Sequence, residues 1–448
     1  FWLSLSGFAT WQCEFASCST GRPGRNRAWD ESGRDFGSRT LSAGIAVASL
    51  SGARTTSYSM KPIDSPEAFL LEQIRARPTQ PIALEHPLEV AQLATPALVI
   101  ERAAFERNVA KMAAHLERYG KGFRPHAKTH KCPVVARRQL AAGAVGICVA
   151  KLSEAVALVG AGISDVLITS PITDASKVEI LAELAAEAPG LGVVVDSQRG
   201  MDLLQAIRSQ YPVGVFVDLD VAMGRTGTRD DELALRLIDQ IHGAEQLEFR
   251  GFQHYAGHVM HIEGHAARAD ASLKLWGQVV ERIANLGVGY DVLTGCGTGT
   301  YDIDTAVAEI TDMQVGSYIF MDEEYRQIGG RDSDRFVDFE VALTVACTAI
   351  SQPASGAITV DGGYKAMASD TVPPAVDELA HTSYRFAGDE HGVLLSRESL
   401  QSVRLGDVVR VVSPHCDPTV NLHDFYWVLE DDGLIHSCWP ITARGCTW

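Results

Sequence analysis

The sequence predicts an α/β protein in which a parallel (β/α)8 TIM barrel precedes a second, β-rich domain. Two observations carry this reading. From residue 96 to about 334, short apolar runs rich in β-branched residues alternate with helical patterns, and eight such runs follow one another. Beyond about residue 335 the helical text gives out and alternating strands with turn signals replace it. Eight strand–helix repeats favour a closed barrel over a doubly wound sheet. A chain of 448 residues, 46% of them hydrophobic, has material for a core divided between two domains.

Taken in order, Thr95-Pro-Ala-Leu-Val-Ile100 reads as a leading strand, and Arg102–Tyr119 as a helix with Phe105, Val109, Met112 and Leu116 on its apolar face. The eight barrel strands are then Phe123–Lys128, Gly146–Val149, Asp165–Ser170, Leu191–Asp196, Val213–Asp220, Phe249–Tyr255, Asp291–Gly297 and Met313–Phe320. Ala- and Leu-rich segments such as Asp174–Ala188 and Asp230–His242 separate them as helices. In the second domain Phe336–Ile350, Ala357–Val360, Val408–Ser413 and Phe425–Leu429 read as strands, and 368–395 as an irregular, exposed loop. The expected division is 1–60 leader, 61–95 N-terminal extension, 96–334 barrel and 335–448 β-rich domain.

Charge is uneven along the chain. The formal net charge is −17, yet residues 1–60 hold six Arg, no Lys, four acids and eleven Ser, netting +2 and leaving −19 for the rest. An Arg- and Ser-rich, acid-poor leader resembles an organelle transit peptide, which would direct the chain to a chloroplast or mitochondrion. Equally, Met60 marks the change of composition and can be the true start of a cytoplasmic protein. The acidic body argues against nucleic acid or an anionic membrane as partner. No apolar run reaches the roughly 20 residues of a membrane span. Nine cysteines without a CxxC pair argue against a disulfide framework and against structural zinc.

Barrel enzymes place reactive groups at the carboxyl ends of strands. The first barrel strand ends Arg124-Pro-His-Ala-Lys128-Thr-His-Lys131. A lysine there either opens a solvated loop or, desolvated, serves as an amine for Schiff-base chemistry. The fifth strand leads into Met223-Gly-Arg225-Thr-Gly227, the sixth into Tyr255, His258, His261 and His265, and the seventh into Gly297-Thr298-Gly299-Thr300. Small residues after strand seven suit a phosphate, although each loop alone reads as ordinary turn chemistry. In the second domain stands Pro414-His415-Cys416-Asp417-Pro418. If that stretch is extended, His415 and Asp417 share a face and form a mixed N/O pair for Mn²⁺, Mg²⁺ or Zn²⁺; otherwise it is a turn.

Together the Lys128 motif and the stretch from Pro414 to Asn421 resemble the D-threonine aldolase and eukaryotic-type D-serine dehydratase family, pyridoxal-phosphate enzymes of the alanine racemase fold. The resemblance covers about residues 90–448. It implies Lys128 as the Schiff-base lysine, and Arg225, Tyr255, Gly297, Thr298, Gly299 and Tyr318 as cofactor contacts. It further implies His415 and Asp417 as ligands of a divalent metal, and a homodimer; the base that takes the β-hydroxyl proton is read as His261 or a metal-bound hydroxide. The dehydratases are similar to one another in carrying His-x-Cys at the metal motif; Asp417 in that place favours the aldolase. The implied reaction is cleavage of D-threonine and related D-3-hydroxy amino acids to glycine and an aldehyde. D-serine dehydration, a non-catalytic pyridoxal-phosphate-binding homeostasis protein and a cofactor-free metallohydrolase stand as alternatives.

Overall fold

Runs such as Gly192–Val195 and Val213–Asp218 are buried at every position, which suits strands covered on both faces. The computed structural model describes residues 65–368, 372–396 and 398–448; the leader at 1–60 lies outside the described residues. Two strands come first, β1 (Ile82–Leu88) and β2 (Ala97–Glu101). The barrel follows as β3 (Gly122–Phe123), β4 (Ile147–Val149), β5 (Val166–Ile168), β6 (Gly192–Val195), β7 (Val213–Asp218), β8 (Leu247–His254), β9 (Val292–Gly295) and β10 (Asp312–Met313). These eight pair in the order β3-β10-β9-β8-β7-β6-β5-β4, every ladder parallel. Beyond β3, His126 bridges Cys148 in parallel, with the Cys148 amide donating to Pro125 O at 2.8 Å. That contact joins the two ends of the sheet and closes the ring.

The helices between strands obey the amphipathic rule. Asp231–His242 buries Ala234, Leu237, Ile238 and Ile241 along one stripe, and the carboxylate of Asp230 accepts from the Leu233 amide at its start.

The second sheet contains β11 (Leu343–Ala354), β12 (Ala357–Val360), β13 (Ser383–Phe386), β14 (Gly392–Leu395), β15 (Val408–Val411), β16 (Phe425–Leu429) and β17 (Ile435–Pro440). Its order is β1-β17-β16-β2-β11-β12-β14-β13, with β15 paired to β11.

Several expectations are corrected here. The leading strand β2, placed by its sequence position inside the barrel stretch, lies in the second sheet, antiparallel to β11 and parallel to β16. The reason is its composition: Ala97, Leu98, Val99 and Ile100 are all buried, Leu98 and Ile100 in one core and Ala97 and Val99 in another. Such a run fits the middle of a sheet. The stretch 61–95 contributes the helix Pro66–Arg75 and β1, which the sequence reading left unassigned. The segment 368–395, read as irregular, carries the antiparallel pair β13–β14. The eighth barrel strand is only two residues long and breaks into a turn at Ser317–Ile319.

Candidate functional site

A cavity of about 470 Å³ opens at the carboxyl ends of the barrel strands. Its lining includes Lys128, Arg225, Tyr255, Gly297 and Thr298, so five of the residues singled out from sequence meet in one place. Among its described lining residues the cations are Lys128, Lys151 and Arg225, and none is Asp or Glu.

Lys128 is delivered by the turn that follows β3. Its backbone amide donates to His126 Nδ1 at 3.3 Å, which leaves the proton of that imidazole on Nε2, 3.1 Å from Thr169 Oγ1. The amine Nζ lies 3.4 Å from Asp417 Oδ2 and 6.0 Å from the Tyr255 ring centre. Burial works against its charge, but the Asp417 carboxylate more than offsets this and raises the amine above its ordinary value. Asp417 answers in kind: against the cost of its burial, Lys128 and His415 bring it down to about 2. Arg124, first residue of the motif, does not reach the cavity lining. It pairs with Asp312 and Asp165 and so ties the first barrel strand to the last and to the third.

Arg225 rides on a loop folded by one carboxylate. Asp220 accepts from the amides of Ala222, Met223 and Gly224 at 2.8–3.1 Å and from Arg229 Nε at 2.8 Å. That loop sets the Arg225 guanidinium 5.1 Å from the Tyr255 ring centre.

The turn Gly297–Thr300 packs onto the segment carrying Met260 so closely that side chains are excluded. A Cβ on Gly297 would meet Met260 Sδ at 2.6 Å, and one on Gly299 would meet Met260 O at 2.1 Å. Among the described residues, the amides of Gly297, Thr298 and Gly299 donate to no carbonyl beyond their own turn. Amides without such a partner, on a turn that lines the same cavity as a lysine and an arginine, fit the phosphate of pyridoxal phosphate. Gly299 belongs to this turn but stays below the cavity surface.

The side chain of Tyr318 lies apart from the cavity lining. Its ring is fully buried against Phe123 and Phe339, and its hydroxyl accepts from Gln139 Nε2 at 3.0 Å. The short turn after β10 points the phenol into the core, and only its amide faces the site, donating to Thr298 Oγ1 at 3.0 Å.

Residues 415–417 do not form one extended run: His415 is extended, but it caps the short helix Cys416–Val420, which holds Asp417. The Cys416 amide donates to Asp322 Oδ2 at 2.9 Å, which fixes where that helix starts. His261 Nδ1 and His415 Nδ1 each lie 3.6 Å from a carboxylate oxygen of Glu324. Burial, then the neighbouring charges of His415 and Lys128, push His261 down to about 4, so it is neutral at pH 7. Among the described residues no three His, Cys, Asp or Glu side chains form a metal-holding group. Two donors, His415 and Asp417, still fit a cation whose remaining positions are filled by water.

His126, Thr169, Ser170, Gln253, Gln314 and Tyr325 also line the cavity, and Glu324 lies between the two histidines; none was singled out from sequence. Thr169, Gln253 and Gln314 lie at or just past strand ends, a positional signal that was available. Glu324 and Tyr325 lie on a five-residue helix with no such signal.

Comparison with known proteins agrees with this geometry. The family model for the alanine racemase N-terminal domain matches residues 100–324, and that for a serine dehydratase domain matches 342–429. D-threonine aldolase of Arthrobacter sp. is 37% identical over 373 residues, 81% of this chain and 97% of the relative. The 3-hydroxy-D-aspartate aldolase of Paracoccus denitrificans (strain Pd 1222) is 31% identical, covering 80% of this chain and 94% of its own. The crystal structure of D-threonine aldolase from Filomicrobium marinum superposes with a TM-score of 0.77 at 34% identity, over 82% of this chain and all of that one. Matched by both halves of the family's architecture and along nearly the full length of its members, the chain belongs to the alanine-racemase-fold lyases that include D-threonine aldolase.

Proposed function

We propose that the protein is a pyridoxal-phosphate- and divalent-metal-dependent D-threonine aldolase, which cleaves D-threonine and related D-3-hydroxy amino acids between Cα and Cβ to glycine and an aldehyde. The observation that carries this is the meeting of Lys128 with Gly297 and Thr298 on one cavity, with Asp417 3.4 Å from the Lys128 amine. Bound there, the cofactor supplies an electron sink for the carbanion left at Cα.

Lys128 would hold the cofactor through its amine, and the Gly297, Thr298 and Gly299 amides would take its phosphate. Arg225, 5.1 Å from the Tyr255 ring centre, would lie beside the cofactor ring. His415 and Asp417 would hold the metal, which contributes Lewis acidity toward the β-hydroxyl. His261, neutral at pH 7, accepts the β-hydroxyl proton on an imidazole nitrogen as the Cα–Cβ bond breaks. Tyr325, packed against His261 with ring centres 4.6 Å apart, keeps that imidazole in place and water away from its face.

A second reading, D-3-hydroxy amino acid dehydration, is favoured by the serine dehydratase domain match over 342–429. Product analysis separates the two. With D-threonine and Mn²⁺ the aldolase releases acetaldehyde and glycine; ammonia and a 2-oxo acid from D-serine or D-threonine would establish the dehydratase instead.

A further inference from the structure

Arg268 lies on the helix His265–Leu286, outside the cavity, with 0% of its surface exposed. Its guanidinium is spent on main-chain carbonyls. Nε donates to Gly299 O at 2.7 Å, and Nη1 donates to Ile262 O at 2.7 Å and to Ile328 O at 3.0 Å. Nη2 donates to Gly329 O at 2.8 Å. These four acceptors come from three separate loops. One is the phosphate-binding turn, one begins immediately after His261, and one follows the helix bearing Glu324 and Tyr325. A guanidinium is the side chain for this task, because its donors radiate in one plane and its charge persists when buried. An ammonium has a compact donor set and cannot span the same acceptors.

A buried cation is costly unless its donors are satisfied, and four carbonyls satisfy it only while all three loops hold their places. The arrangement therefore works in both directions: the loops solvate Arg268, and Arg268 fixes the loops. Because a peptide is planar, holding the Gly299 carbonyl also fixes the peptide plane at the end of the phosphate turn. We propose that Arg268 is a positioning residue that sets the phosphate-binding turn and the His261 loop against each other, so that cofactor and imidazole share one frame. This rests on the reading of the cavity as a pyridoxal-phosphate site.

The test uses the full chain with Arg268→Lys and Arg268→Met, folding being followed by circular dichroism. Pyridoxal phosphate is titrated by absorbance, the bound phosphate is observed by ³¹P NMR, and D-threonine kinetics are measured in the wild-type and His261→Ala backgrounds. Arg268→Lys is expected to weaken cofactor binding about 10-fold and shift the phosphate resonance. It should lower kcat about 10-fold or more with a smaller change in KM, the size of effect expected when reacting groups are displaced by about an ångström. In the His261→Ala background it should bring little further loss of kcat while still weakening the cofactor. Cofactor affinity within twofold of wild type in folded Arg268→Lys overturns the proposal, as does a kcat loss that multiplies fully with His261→Ala. If Arg268→Met does not fold, the lysine variant decides alone. A wild-type chain that takes up no cofactor overturns the cavity reading and this proposal together, whereas wild-type binding with an unaffected variant overturns only the role of Arg268.

Discussion

Asp417 faces two claims at once. It lies 3.4 Å from the Lys128 amine, and it is one of two donors proposed for a metal. An ammonium is no nucleophile, so Lys128 must lose its proton before it can carry a cofactor, and a cation on Asp417 would loosen the pair that keeps it protonated. Asp417→Asn is expected to lower the Lys128 pKa, because it removes the carboxylate that does most to hold the amine charged against its burial. The variant should acquire the visible absorbance of bound pyridoxal phosphate at least as readily as wild type near pH 8. Its Mn²⁺-dependent turnover should fall 100-fold or more, and turnover that survives EDTA in the wild type would defeat the metal assignment. His130 gives a pH prediction. Burial pushes it down to about 3, against an ordinary value near 6.5, while its Nδ1 accepts from the Cys132 amide at 3.1 Å. The unfolded chain therefore binds more protons between these values, so the stability tied to neutral His130 is complete above about 6.5 and is lost as pH falls toward 3. In His130→Asn the acid limb of a Tm-against-pH profile should flatten. Lys128 was legible because a lysine at a strand end is chemically conspicuous. Tyr318 was harder to place, because a tyrosine after a strand reads the same whether it faces a cavity or a core.

At the scale of elements, the turn Gly297–Thr300 is specified by packing. Gly297 has a φ of −167°, an extended value open to any residue, so its requirement comes from the approach of Met260 and not from backbone strain. Gly299→Ala would bring a methyl within 2.1 Å of the Met260 carbonyl oxygen. A destabilisation of about 1–3 kcal/mol is expected, with weaker cofactor binding because the turn must move; thermal melting and absorbance titration check both. Most of the barrel strands were legible because they are buried apolar runs, as in β4 to β7, whatever their length in hydrogen bonds. The geometry at His415 was not. An HxD triplet reads as extended or turned with equal ease, and the choice is made by Asp322, more than ninety residues away in sequence, accepting from the Cys416 amide.

For the molecule as a whole, the described residues form a single unit, barrel and second sheet together. The strand β2 explains much of this. Immediately before the barrel's first helix the chain passes through the middle of the other sheet, and its two faces enter different cores. Neither part can lose its packing without exposing the other. Far-ultraviolet dichroism and the absorbance of bound cofactor are therefore expected to melt at the same temperature; two separated transitions would show that the parts unfold independently. Membership of β2 was out of reach of periodicity, since an all-apolar run shows that a strand is central without showing in which sheet.

The position of β2 also sets a clock. Ala97–Glu101 is made first, and its parallel partner Phe425–Leu429 more than three hundred residues later. At about 5–20 residues per second, that interval is roughly 20–60 s. Asp417 arrives in the same late stretch of synthesis, long after Lys128 has emerged. The nascent chain thus carries its reactive amine well before the carboxylate that restrains it, and the pair can form only once Asp417 has been made.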